Sequence, residues 1–404
     1  MKRQRIYLDH AATTPLRAEA AQAIASSAHL WNFNPSSLHA EGRGARAALD
    51  DARDRVAATV GAARHDIVFT SGGTEADNLA LLGVSRATQR PRHVIVSAIE
   101  HSAVLTSLQQ LRDDGTEVTV LPVDADGRVD PQQFEAALRP HTVLASVMYA
   151  NNEVGTIQPV AALAATARRH GVLFHTDAVA AMMWEPIDVE NLGVDLLSIS
   201  AHKLYGPRGI GALYVRRGVP LAPLLFGGGQ ESGRRSGTEN LAAIVGFARA
   251  AELAARERAQ SVPRVRSLRD RLEAGMLSLV PGCVVNGAAA ERLPSICNVS
   301  FRGVSASELL VALDLEGVAV SAGSACATGA VKPSHVLAAM GQDAQQMGGI
   351  RFSLGTATTA DEVDRVSEIL PRSVAGLRGE TLSARLAGGL GRLKTNRARL
   401  EAEA

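Results

Sequence analysis

Along the first two thirds of the chain, short apolar runs alternate with longer segments whose apolar residues recur every three or four positions. DIVFT (66–70), HVIVS (93–97), VTVLPV (118–123), TVLASVMY (142–149), GVLFHTD (171–177), DLLSIS (195–200) and GALYVR (211–216) read as seven strands. EADNLALLGVSRA and QQFEAALRP, between them, carry the spacing of helices. Several of the strands are apolar at almost every position, as expected where helices cover both faces of a sheet. The pattern predicts an α/β domain over 15–260 with a mostly parallel seven-stranded sheet.

After the alanine-rich helical stretch IVGFARAAELAARERAQ the rhythm changes. SICNVSFRG (295–303) and GVAVSAG (317–323) read as strands, and SELLVALDLEG and EVDRVSEILPRSVAGLRG as helices. A smaller α+β domain is therefore expected from 1–14 and 261–381, followed by a tail at 382–404. That tail is basic and weakly amphipathic, which suits either a frayed surface helix or a partner-docking segment.

Composition narrows the classes. A hydrophobic fraction of 46% and a charged fraction of 21% are ordinary for a globular protein. A net charge of +1 gives no electrostatic reason to expect nucleic acid or a membrane surface. No apolar stretch is long enough for a span and no signal-like segment opens the chain, so a cytoplasmic protein is expected. Cys283, Cys297 and Cys326 are widely separated and form no CxxC pair, which argues against a disulfide framework or a zinc site. Cys283 and Cys297 sit among apolar residues and read as structural. Cys326 stands alone in SAGSACATGA, a stretch suited to turns and exposure.

Ligands of open α/β sheets bind beyond strand ends. After DIVFT comes SGGTEADN, whose glycines and Thr74 could form either a phosphate-binding helix start or an ordinary turn with its cap. It is not a nucleotide P-loop, since no Gly-Lys pair follows, and GPRGIGALY does not open a helix as a dinucleotide fingerprint must. Asp177 closes an apolar run, where a carboxylate needs a cation or several donors. Lys203 follows DLLSIS and precedes a Gly-Pro turn. Each feature alone reads as structural. Together they supply what pyridoxal 5'-phosphate requires: an anion anchor, a partner for the ring nitrogen and an amine for covalent attachment.

At this point nine segments occur in the order found in cysteine desulfurases of the NifS/IscS type: LDHAATTP, FTSGGTEADN, EHSAVL, NNEVGT, HTDA, SAHKLYGPRGIGALYVRR, GGGQESGRRSGTEN, SAGSAC and IRFSLG. The chain resembles that family over residues 5–380. The resemblance implies a fold type I pyridoxal phosphate transferase of the class V aminotransferase group, acting on L-cysteine as a homodimer. It implies that Lys203 holds the cofactor and moves protons, and that Asp177 pairs with the ring nitrogen. His101, otherwise a core or helix-end histidine, would stack on the ring and assist proton transfer. Gly73, Thr74, Ser200 and His202 match the phosphate and cofactor pocket, and Thr238 a residue reaching the neighbouring subunit's phosphate. Asn152 matches a residue near the phenolic oxygen, and Arg351 the guanidinium that grips the substrate carboxylate. Cys326 would accept sulfur as a persulfide and pass it to an acceptor protein for iron-sulfur clusters, thiolation or specialised sulfur biosynthesis.

One position departs from the family pattern. Three residues beyond Asp177 the family usually has glutamine, and here Ala180 stands instead. A lost hydrogen bond to the cofactor costs about 1–3 kcal/mol if nothing replaces it. Met182, Met183 and Trp184 read as packing between helix and sheet. Two other readings stay open: a selenocysteine lyase or other pyridoxal phosphate-dependent carbon-sulfur lyase, and a weakly active partner-binding scaffold.

Overall fold

A computed structural model describes residues 5–89, 91–323, 334–342 and 347–379. Cys326, the loop around it and the tail at 382–404 lie outside the described residues. Among these residues, strand β1 (Ile6–Tyr7) is followed by β2 (Ile67–Thr70), β3 (His93–Ser97), β4 (Glu117–Leu121), β5 (Thr142–Ser146), β6 (Leu173–Asp177), β7 (Leu196–Ser200) and β8 (Gly211–Val215). The last seven form one sheet in the order β2-β8-β7-β6-β5-β3-β4.

β8 alone runs antiparallel to both neighbours. Its reversal follows from the short link after β7, too short for the crossover that a parallel neighbour needs. β2, β3, β6, β7 and β8 include no exposed residue, because helices pack over both faces. β4, at the sheet edge, keeps two exposed residues, and its apolar run ends at Leu121 rather than at 123. The turn at Pro122 lacks the N–H that would continue the ladder.

The second lobe is built around β9 (Cys283–Val285), β10 (Ile296–Arg302) and β12 (Met347–Ser353), an antiparallel sheet with β10 central. β11 (Val318–Ala319) pairs with β1, so the first residues of the chain join this lobe. β9 and β12 were not expected as strands: the first is three residues long and the second is interrupted by Gly348-Gly349. The helix Leu241–Leu279 runs unbroken through 260/261, with Pro263 inside it, and serves both lobes. One hydrophobic cluster is continuous from Leu49 and Phe247 to Phe301 and Leu370. No helix of the described residues is long and apolar enough to cross a membrane.

Candidate active site

The parallel strands deliver their C-terminal ends to one crevice. It is a cavity of about 290 Å³ lined by Gly73, Thr74, His101, Asn152, Asp177, Ala180, Ser200, His202, Lys203 and Arg351, among others. Ten positions singled out above, from Gly73 to Arg351, meet there because each lies at or beyond the end of a strand of the large sheet or on β12 of the second lobe.

The helix Gly73–Ala87 starts at the cavity wall. Its first N–H groups have no acceptor within the helix, and the exposed Thr74 stands beside them. Only glycine fits at 73, because an added Cβ would come 2.8 Å from Val179 Cγ2. Ser200, at the end of β7, is buried, and its hydroxyl has no hydrogen-bond partner. Orphaned N–H groups, a free hydroxyl and a helix start together match a phosphate, so the cavity fits the anionic end of pyridoxal phosphate.

Asp177 ends β6 on the cavity floor, and its Oδ1 accepts from the Val179 amide at 2.8 Å. Burial raises its pKa, while His101 and Lys203 draw it down. A protonated ring nitrogen would supply the cation that this carboxylate lacks. His101 caps the helix Ser102–Asp113, and its Nδ1 accepts from the Ala103 amide at 3.1 Å. The residue thus caps a helix and also lines the cavity. Burial keeps the imidazole pKa low, against the pull of Asp177, and the cap leaves the proton of the neutral ring on Nε2.

Lys203 lies in a single 3₁₀ turn, Ala201–Lys203, directly after β7. Its Nζ donates to the Ala12 carbonyl at 2.8 Å and also to that of Ala11. Two residues of LDHAATTP thus hold the amine at the cavity edge. His202 faces the same strap, with Nδ1 3.2 Å from Thr13 Oγ1, and burial lowers its pKa to about 4.

Arg351, on β12, is 1% exposed. Its Nη2 donates to Asp9 Oδ1 at 2.9 Å and Nη1 to the Asn152 carbonyl at 3.0 Å, while Nε is buried without a partner. The guanidinium is therefore fixed in place with donor capacity left for an incoming carboxylate. Ala180 lines the cavity, and Met182, Met183 and Trp184 are core residues, as expected from their packing role.

Thr238 is exposed and lines a different cavity, with Thr70 and Arg235, so within one chain it does not reach Lys203. Cys297 is fully buried, and burial raises its thiol pKa well above the ordinary value. Cys283, half-buried on β9, is raised for the same reason. Both stay protonated at neutral pH, in keeping with a structural role.

Sequence reasoning missed a second tier of acids. Asp77 lines the cavity floor, with burial and the neighbouring Asp177 driving its pKa well above the ordinary range. Glu100 is pushed up to about 8, chiefly by burial. Between them, His175 bridges Ser146 Oγ at 2.8 Å and Ser198 Oγ at 2.9 Å, and burial lowers it to about 3. Asp77 stands three residues after Thr74 on the helix face turned to the sheet, a spacing that could have identified it. Asp9, in the quoted LDHAATTP, carried no signal beyond its motif.

The aminotransferase class-V family model matches residues 6–366. The chain belongs to the aminotransferase class-V family. Within this family it is of the cysteine desulfurase type. It is 45% identical over 380 residues to the cysteine desulfurase IscS of Dictyoglomus turgidum, covering 94% of this chain and 96% of that protein. A solved NifS-like protein superposes with a TM-score of 0.86 at 37% identity, covering 93% of this chain and all of that one. SspA, solved in complex with cysteine, gives 0.76 at 35% identity over 88% of this chain and all of that one. Class V members of this type are pyridoxal phosphate enzymes, and the cavity around Lys203 has the donors such a cofactor needs.

Proposed function

We propose that this class V member is a pyridoxal 5'-phosphate-dependent cysteine desulfurase that converts L-cysteine to L-alanine and loads the sulfur on Cys326. The observation that carries the reading is the meeting of Lys203, Asp177, His101, Ser200 and Arg351 in one cavity. Relatives named cysteine desulfurase, and a structural neighbour solved with cysteine, support the substrate.

Lys203 would hold the cofactor covalently, Asp177 its ring nitrogen, and Ser200, Thr74 and the helix start at Gly73 its phosphate. When bound, the cofactor supplies an electron sink that stabilises negative charge at the substrate α-carbon. The residues of this chain do the rest. Arg351 orients the substrate carboxylate, and its bond to Asp9 holds the guanidinium in place. Lys203 would take the substrate α-proton, and the Ala11 and Ala12 carbonyls hold its Nζ within the site. His101, kept neutral by burial and with Nδ1 occupied by the Ala103 amide, would offer an Nε2 proton to the site.

The carbon-sulfur bond of L-cysteine breaks as the Cys326 thiolate attacks that sulfur. A sulfur-sulfur bond forms, the sulfur is oxidised to the sulfane level, and the carbon is reduced to the methyl group of alanine. The carbon gains the two electrons that the sulfurs give up, and the proton lost by the Cys326 thiol is matched by the one the methyl group takes, so no further oxidant is needed. An acceptor protein then takes the sulfane sulfur.

The remaining parts of the reading are a homodimer in which Thr238 reaches the neighbouring subunit's phosphate, a smaller lobe of 1–14 and 261–381 that carries the cysteine loop, and a cytoplasmic location. The test is to supply the purified protein with L-cysteine and a thiol reductant and to measure alanine and sulfide together. Equal amounts with repeated turnover are expected, and Cys326→Ser keeps bound cofactor while losing sulfide. A serine variant that releases sulfide at the parent rate refutes the persulfide step.

A further inference from the structure

A second groove shares no lining residue with the Lys203 cavity. It is an open trough of about 840 Å³ between the helices Ala306–Leu315 and Ala360–Leu377 of the smaller lobe. Its apolar floor includes Leu315, which is 81% exposed, with Val311 exposed on the same helix. Its walls carry Glu316, Asp361, Asp364 and Glu368 against two arginines, so the trough is net acidic. Exposed leucine flanked by acids suits an amphipathic basic segment.

We propose that residues 380–404 of this same chain fold back and occupy the trough. The point of departure favours it. Gly376 and Leu377 line the trough themselves, and Gly379, three residues on, has φ of 68°. A left-handed glycine just past a helix end turns the chain off the helix axis, as a return along the same helix requires. The sequence that follows matches the trough in both respects. Leu382, Leu386, Leu390 and Leu393 recur at intervals of four, four and three. Arg385, Arg392, Lys394, Arg397 and Arg399 are basic, with no acid between Arg385 and Arg399.

Length and register agree as well. The trough follows the helix from Asp361 to Leu377, about 24 Å at helical rise. An antiparallel return at the same rise sets 390–397 alongside 361–368, which brings the arginines to Asp361, Asp364 and Glu368. Asp364 is already bonded to Arg271, so the main anchors are Asp361 and Glu368. The tail thus covers the exposed leucine of its own lobe.

Carbodiimide labelling of Asp361 and Glu368, read by mass spectrometry, tests the docking, with the exposed Glu190 of the other lobe as control. The full chain is compared with a chain ended after Gly379 and with the full chain carrying R392E and R397E. A tail docked nine-tenths of the time slows labelling about tenfold relative to the truncated chain, and the double charge reversal abolishes that protection. High salt does the same, since exposed charges are screened. Equal labelling in all three proteins overturns the proposal. So does protection that grows with protein concentration, which assigns the trough to a second copy. If the truncated chain does not fold, the charge-reversed full chain decides alone.

Discussion

The Lys203 cavity and the acidic trough of the smaller lobe both concentrate charge, yet they use it in opposite ways. In and beneath the cavity, Asp77, Asp177, Glu100 and His175 are buried, and burial displaces their titration from ordinary values. In the trough, Asp364 and its partner Arg271 are about half exposed, and water screens them. Charge taken out of water costs free energy unless a partner meets it, so a buried cluster marks a place built to receive one. Exposed charge carries little energy of its own and serves to choose which surface docks.

The largest effect that would break this contrast is at Lys203. Lys203→Ala removes the covalent hold on the cofactor and the proton-transfer group, and desulfuration falls by about 10²–10⁴-fold or more. The fold survives, so the loss is read as disappearance of the lysine-linked cofactor absorbance with an unchanged circular dichroism spectrum. A variant that keeps that absorbance would move the covalent site elsewhere.

Next come the two aspartates of the floor, which the comparison separates. Asp177→Asn leaves the cofactor ring without its counter-charge, and cofactor affinity falls by about 10²-fold or more, the equivalent of the 3–5 kcal/mol for breaking a buried pair. Asp77→Asn replaces an acid already held in its protonated form by an amide of the same shape, so affinity changes by less than about 1 kcal/mol. Equilibrium dialysis against free cofactor checks both, and equal losses would mean that Asp77 is also charged.

His175 gives a smaller effect with a definite sign. Its pKa is about 3 in the fold, against about 6.5 in an unfolded chain. The native state therefore binds fewer protons between these values, so stability present above about 6.5 drains away as pH falls toward 3. Glu100 acts oppositely: raised to about 8 in the fold, it withdraws stability as pH rises from about 4.5 toward 8. His175→Gln costs about 1–3 kcal/mol at neutral pH through the bonds to Ser146 and Ser198. In urea unfolding, the loss of stability between pH 7 and pH 5 becomes smaller in the variant than in the parent. The smallest effect is in the trough: Asp364→Asn removes an exposed pair with Arg271 and shifts stability by less than about 1 kcal/mol, measured the same way.

These two regions were legible to different degrees. The strands carrying Asp177 and Ser200 are each five residues long and buried along almost their whole length, and each ends where its pattern predicts. The residues just beyond them needed only the rule that ligands gather at strand ends. The tier beneath went unread: the spacing of Asp77 from Thr74 places it on the inner helix face, but its meaning depends on Asp177, a hundred positions later. Asp9 was likewise silent until β1 paired with β11 and carried it to Arg351. β9 and β12 escaped notice because short or glycine-broken strands have no periodicity to read.

The sequence by itself determined the alternation of strand and helix, the mostly parallel sheet, and the family to which nine ordered motifs point. Those are local properties, fixed by side-chain period and backbone sterics within a few residues. The tertiary structure alone decided which acids share a floor, that the Ala11 and Ala12 carbonyls hold Lys203, that Asp9 occupies part of Arg351, and that Thr238 stands outside its own chain's cavity. Burial and through-space charge depend on distance in the folded molecule, and distance along the chain carries almost none of that information.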